Sequence, residues 1–470
     1  MLQGRIALRT RRARPSRFAI TDRSALSIAA DLLMVVLGGG CSFIVHIVGD
    51  LPFPEVVILA LFVPLAVIYW RRAFRPDLRA VYILMVLWLL NQIVTDIYRG
   101  TQWYAWMRGD AEIIFFAADL LFLSMLIGDN DRRKVIFLAS WAVVAILQVR
   151  FHPTQDNLES PWKFGYSWGV NLFAVFLCSY LCNRRQNLLA IAVLGTAIGI
   201  NLKNDFRSPI LLMALSLALA GPVIPEQIGP WRVLPPLGSK RRLVLLLILA
   251  LLASLGSQAL VLALSKSGVL GEEAQEKNEF QSHVKGGLLV GGRPEIIASA
   301  QAVWDSPILG HGSWAQDSKY VDILLDTMIE NGEELDADTI EESTADYIPA
   351  HSYLMGAWVW AGIFGAVFWI YIFWLVAKGI VVAALRRPPF ALLYIYMFGQ
   401  IAWAILFSPF GVTARIMTAF VLLMVLDVLK LAPHYQSAPH ALQFQRWRRF
   451  AYQGELATSR FGHGRGRIGP

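Results

Sequence analysis

The sequence predicts an all-α, polytopic membrane protein with about twelve transmembrane helices and one long helical loop on the outer side. Three observations predict it. The 470-residue chain is 56% hydrophobic and only 16% charged, with a mean hydropathy of +0.51, which leaves too little polar surface to cover a soluble core of this size. Apolar runs of about 17–25 residues, the length that crosses a bilayer as a helix, recur from residue 25 to residue 430. Basic segments fall on alternate connections between those runs, as they do where basic loops stay cytoplasmic.

In chain order, the segment 1–24 carries Arg5, Arg9, Arg11, Arg12, Arg14 and Arg17 and is expected to stay inside. The apolar run after it is long and lacks a small-residue cleavage site, so an uncleaved first helix is expected. Membrane helices 1–9 occupy 25–265. Their apolar runs are Ala25 to Val48, Pro54 to Trp70, Ala80 to Tyr98, Ala111 to Gly128 and Val135 to Val149. They continue with Gly165 to Cys182, Leu188 to Leu202, Ser208 to Leu219 and Leu243 to Leu264. Helices 10–12 occupy 351–430, with runs at Ser352 to Val376, Phe390 to Phe407 and Val412 to Leu429. The inside connections are marked by "RRAFRPDLR" (71–79), "DRRK" (131–134), "NRR" (183–185), "SKRR" (239–242) and Arg386–Arg387. An even number of spans with a basic start puts both termini in the cytoplasm, and 431–470 reads as a basic, solvated tail.

The connection 266–350 then lies outside. It holds 17 acidic and five basic residues, while the rest of the chain has 17 acids and 37 bases. The net charge of +8 is therefore a property of the inner side, where it meets anionic lipid; it does not indicate nucleic acid. A structureless loop of this length is unusual, and two helices are legible in it. In "RPEIIASAQAVW" Ile296, Ala300, Val303 and Trp304 recur at helical spacing with Pro294 at the favoured first position. In "KYVDILLDTMIENG" Val321, Leu324, Leu325 and Met328 form an apolar face, Asp322, Asp326 and Glu330 the opposite one, and Gly332 suits the stop. Those three acids read as a solvated face and not as a metal site. Cys41, Cys178 and Cys182 all lie in apolar runs, with no disulfide or metal-type spacing.

Basic residues on the outer side break the orientation rule and need a reason. They are Arg99, Arg108, Arg150, Lys163, Lys203, Arg207, Arg293 and Arg415. Arg99, Arg108 and Lys163 read as interfacial side chains whose stems lie in lipid. Arg207, in "NLKNDFRSPILL", stands in a short turn before Ser208 and Pro209, which open a helix; Arg293 stands directly before Pro294. A guanidinium beside a helix amino end is an anion site, and two of them suit a phosphate or diphosphate. The competing readings pair Arg207 with Asp205 and Arg293 with Glu295. His351, two residues after Pro349 at the mouth of a span, has the side chain best suited to take a proton from an attacking hydroxyl. His152, His283 and His311 compete for that role. No set of residues calls for a metal or organic cofactor.

Taken together, these features resemble the O-antigen ligase and polymerase superfamily, bacterial membrane glycosyltransferases that use undecaprenyl-diphosphate-linked glycans. The resemblance spans roughly residues 160–430. It rests on Arg207 at a turn before a span and on Gly292 and Arg293 opening an amphipathic helix. That helix ends in Trp304 with Pro307, Gly310 and Gly312 following, and His351 begins the next span. Two positions differ from the family pattern: Ser352 follows the histidine where asparagine is common, and Phe206 precedes the first arginine where serine is common. The resemblance implies a metal-independent, inverting transfer of a glycan to an acceptor hydroxyl, on an acceptor glycan or lipid A core, at the periplasmic side of the bacterial inner membrane. Arg207 and Arg293 would neutralise the diphosphate, and His351 would orient or deprotonate the acceptor. Lys203, Arg415, Trp304 and His311 are expected to contact substrate. The rival readings are a transporter or flippase of a lipid-linked glycan, for which Asp119 is the obvious ionisable group in a span, and a metal-dependent glycosyltransferase, for which the first outer loop offers only Asp50.

Overall fold

The structure, a computed structural model, describes residues 25–46, 49–128, 130–220, 227–228, 231–232, 240–267, 293–332 and 346–434. These are mostly helical. The chain runs through α1 (Ala25–Gly40), a small antiparallel pair β1 (Ile44–His46) and β2 (Asp50–Pro52), α2 (Phe53–Ala73), a 3₁₀ turn at Pro76–Leu78 and α3 (Arg79–Arg99). There follow α4 (Trp103–Ile127), α5 (Asp131–Phe151), the short α6 (Gln155–Glu159), a π-helical turn at Pro161–Tyr166, α7 (Ser167–Asn183), α8 (Asn187–Lys203) and α9 (Arg207–Ala220). A two-residue pair, β3 (Gln227–Ile228) with β4 (Trp231–Arg232), precedes α10 (Lys240–Lys266). The last elements are α11 (Glu295–Asp305), α12 (Ser318–Glu330), α13 (Tyr353–Arg386), α14 (Ala391–Phe407) and α15 (Val412–His434).

Among the described residues six helical spans are long and apolar enough to cross a membrane: α2, α3 with the 3₁₀ turn before it, α5, α7 with the π-helical turn before it (Pro161–Asn183), α13 and α15. The sequence predicts about twelve segments, and for five of the remaining helices the difference has a physical cause. The apolar helices α1, α8, α9 and α14 are short; at 1.5 Å per residue they reach about 21–26 Å, against an apolar thickness of about 30 Å. The 25-residue α4 is long enough but carries Arg108, Asp110, Glu112 and Asp119. The first apolar run also ends sooner than its hydropathy suggests, because the chain turns at Gly40 into β1.

The outside of the bundle is apolar. Leu59, Val63, Val67 and Trp70 of α2 are 56–80% exposed, a stripe that water would penalise by about 25 cal/mol per Å² and lipid accepts. This is an all-α, membrane-embedded architecture. Its centre is α13, packed against α3, α14 and α15, with α4 beside them. Trp88, Phe116, Phe368, Trp369, Tyr353 and Phe410 form one aromatic cluster there, in which Phe116 and Trp369 stack with ring centroids 6.1 Å apart.

The two ends of the bundle differ in chemistry. At one, Asp427 of α15 accepts from Arg75 at 2.8 Å and from Lys134 at 2.7 Å, and Asp77 pairs with Arg75 at 2.7 Å and Lys430 at 3.1 Å. This network ties the α2–α3 turn and the start of α5 to the end of α15. The opposite end carries the segment 293–332 with 346–350. Its two helices, α11 and α12, fall where the periodicity predicts them. Asn331 ends α12, and Gly332 follows with φ +80°.

That segment docks through a break in α13. Gly362 has φ +60° and ψ −148° inside the helix, a conformation open in practice to glycine alone. The break frees backbone groups, and the loop takes them up. His311 N donates to Val359 O at 2.7 Å, Gly312 N to Trp360 O at 3.1 Å, and Ile363 N to Ile308 O at 3.1 Å. Asn91 of α3 donates to Ala361 O. Broken helices are tolerated at membrane depth where other protein groups satisfy the backbone in this way.

Candidate functional site

His351 lies at the loop end, on the residue before Ser352, the helix-capping residue of α13, whose Oγ accepts from Met355 N at 2.9 Å. Serine is a favoured helix cap, which accounts for Ser352 at this position. The His351 imidazole is half-buried, and its Nδ1 stands 3.9 Å from Glu295 Oε1 on the first turn of α11. Burial is the main cause that pushes the His351 pKa below its ordinary value; the Glu295 carboxylate opposes the shift and the Arg293 guanidinium adds to it. The packing of α11 on α13 thus assembles Arg293, Glu295 and His351 into one cluster, with the imidazole biased toward its neutral, proton-accepting form.

The other expected site residues are placed differently. Arg207 opens α9, and its Nε donates to Asp205 Oδ1 at 2.8 Å, the local pairing the sequence offered as a competitor. Asp205 holds φ +43°, so the turn that presents Arg207 is tight. The turn that bears Arg207 is tied to the start of α7. Asn201 near the end of α8 bonds Asn171 near the start of α7 and Trp162 before it, and three residues join α8 to α9. Lys203 ends α8 and is exposed. Trp304 is 81% exposed. His311 donates from Nε2 to Ala302 O at 2.8 Å and packs on the Tyr320 ring, which makes it part of the loop's own architecture. His283 and Gly292 lie outside the described residues.

The Pro-x-x-Gly-x-Gly stretch has a visible structural task. A side chain on Gly310 would put its Cβ 2.6 Å from Trp360 O, and one on Gly312 would put it 2.5 Å from Thr101 Oγ1, so both glycines permit the docking on α13 and α3. From α3, Asp96 accepts from Ser313 N at 2.7 Å and Ser313 Oγ at 2.6 Å. Arg99 donates from Nε and Nη2 to Gly310 O at 3.1 and 2.9 Å. Arg99 is therefore a clamp on the loop, more than the interfacial side chain the sequence suggests. Arg108 lies 3.7 Å above the Trp314 ring. On the far side of the loop the Asp305 carboxyl is held down to about 2 by hydrogen bonds from Lys319 and Tyr320.

Sequence reasoning missed a second polar group. Arg415 is buried in a two-bond pair with Glu55, Nε to Oε1 at 2.7 Å and Nη2 to Oε2 at 2.8 Å. Glu112 is within electrostatic reach of Arg415, and the fully buried Asp119 interacts with both Glu55 and Arg415. Asp119 is thus not alone among the helices. The available signal was Glu55 itself, a single charge in an apolar run. Among the described residues no group of three or more His, Cys, Asp or Glu side chains is disposed to hold a metal ion. Comparison of the chain with family models and with curated proteins finds no match.

Proposed function

We propose that the chain is a membrane glycosyltransferase of the O-antigen ligase or polymerase type. It transfers a glycan from undecaprenyl diphosphate to an acceptor hydroxyl at the periplasmic face of a bacterial inner membrane, with about twelve spans and both termini in the cytoplasm. The observation that carries the reading is the approach of Glu295, two residues after Arg293, to within 3.9 Å of the half-buried His351 at the loop end, which brings Arg293 within electrostatic reach of the imidazole. A diphosphate is already a good leaving group, so the reaction needs charge neutralisation more than a general acid. Arg293, with Arg207, supplies it at the pyrophosphate. His351, held neutral, accepts the acceptor hydroxyl's proton as the oxygen displaces the diphosphate at the anomeric carbon, with inversion.

The test is incubation of the reconstituted full chain with labelled carrier-linked glycan and acceptor. Wild type forms covalent product; Arg293→Ala and His351→Ala lose at least about 10²-fold while retaining normal expression and unfolding midpoints. Near-normal product from both variants refutes the assignment. The second reading, a transporter of a lipid-linked glycan, is favoured by the buried Glu55–Arg415 pair with Glu112 and Asp119. It requires donor movement across the bilayer without bond formation, which the same vesicles report.

A further inference from the structure

At the end of the bundle opposite His351 a cavity of about 460 Å³ opens between α1, α2, α4, α5 and α15. Five cations line it: Arg71, Arg72, Arg75, Arg133 and Lys430. Among the described residues no carboxylate does. The neighbouring acids are spent on three of the five, with Asp31 on Arg133 and Asp77 and Asp427 on Arg75 and Lys430. Among the described residues Arg71 and Arg72 make no ion pair; the Arg72 guanidinium lies 4.8 Å over the Tyr69 ring. Tyr69 itself departs from helical geometry, with φ −121° and ψ 17°, and so breaks α2 one turn before its end. Asn130, the residue before α5, also lines the cavity, its side chain accepting from Arg132 N at 3.1 Å.

The depth of the cavity says where its ligand comes from. Trp70 and Phe74, on either side of the arginine pair, are 62% and 55% exposed. Exposed aromatics beside arginines at the end of an apolar helix mark the headgroup level of a bilayer.

We propose that this cavity binds the phosphomonoester headgroup of an anionic membrane lipid. A phosphomonoester carries about −1.5 to −2 charges near neutral pH, which suits the Arg71 and Arg72 guanidiniums, and its oxygens accept paired hydrogen bonds from them. A zwitterionic headgroup brings its own cation and gains little here.

The experiment places the full chain in nanodiscs of phosphatidylcholine alone or with a minor fraction of phosphatidate and counts retained lipid by native mass spectrometry. Wild type retains phosphatidate over phosphatidylcholine. Arg71→Ala/Arg72→Ala weakens that retention roughly thirty-fold, while Arg79→Ala, which removes a charge at the same end but outside the cavity, leaves it intact. Equal retention of the two lipids by wild type overturns the proposal without reference to any variant, as does a double variant that binds phosphatidate like wild type. A third arm adds inorganic phosphate to phosphatidylcholine discs. If phosphate binds there with the affinity expected of the lipid, the occupant is a soluble phosphate and the lipid assignment fails.

Discussion

Replacing Glu295 with Gln tests the His351 cluster without assuming any reaction. Glu295 Oε1 stands 3.9 Å from His351 Nδ1. Coulomb's law at that distance gives about 1 kcal/mol in a water-like dielectric and about 4 kcal/mol at an effective dielectric of about 20. The imidazole side chain is 37% exposed and the carboxylate 27%, so solvent screening holds the interaction near the lower figure, about 1 kcal/mol. The sign follows from the roles. Glu295 favours the imidazolium, whereas burial and Arg293 disfavour it, so the substitution moves the His351 titration further down. The assay is carbon-13 NMR of histidine-labelled full chain in detergent, with His351→Gln identifying the resonance among the eight histidines. Stability gives a second measure. Because folded His351 holds its proton less tightly than the unfolded chain does, its contribution is fully present above about pH 6.5 and declines as pH falls toward the folded value. In Glu295→Gln that acid-side decline is deeper. A His351 titration that stays put, or moves upward, refutes the cluster as described.

Two further substitutions test the frame that holds this cluster. Arg415→Ala leaves Glu55 buried without its partner and is expected to cost about 3–5 kcal/mol, read as a lowered unfolding midpoint, while Glu55→Met with Arg415→Leu recovers most of the loss; a wild-type midpoint for Arg415→Ala contradicts the pair. Gly362→Ala forces a side chain into a glycine-only conformation and against the Ile308 carbonyl; it is expected to cost about 1–3 kcal/mol and to expose 306–316 to protease. Gly356→Ala, in the same helix with nothing within 4 Å of the added carbon, leaves stability unchanged or slightly raised.

What was legible in the sequence follows the range of the forces involved. Periodicity is local, so α11 and α12 appear within a residue or two of their predicted bounds, and composition alone gives the membrane-embedded, helical class. Span length was less legible. Hydropathy records that Ala25 to Val48 is apolar, but the turn at Gly40 depends on β1 pairing with β2. Of the outer-side cations, Arg207 and Arg415 are held by carboxylates, whereas Lys203 is exposed; Arg415, expected to contact substrate, is instead buried against Glu55. Arg207 found the nearby Asp205, but Arg415 found Glu55, 360 positions away. No periodicity reports such a pairing. A lone carboxylate in an apolar run does announce that a partner exists somewhere.

The same distinction explains why the glycine-rich stretch after α11, visible in the sequence only as a motif, folds as a joint. Gly310, Gly312 and Gly362 hold φ of +86°, +95° and +60°, and their backbones meet across the break in α13. The hydrogen bonds lost at the break are regained with the loop, so α11 is fixed relative to the start of α13 by backbone geometry, and side-chain packing adds to it. Arg99 and Asp96 of α3 then grip the far side of the same loop. Arg293 and Glu295 sit on one partner of this joint and His351 on the other. Their separation is therefore set by a rigid element, the condition under which a base and an anion-binding group keep a productive spacing. A change at Gly362 should loosen that spacing even though the residue touches none of the three, whereas Trp304, 81% exposed and outside the joint, can change without altering it.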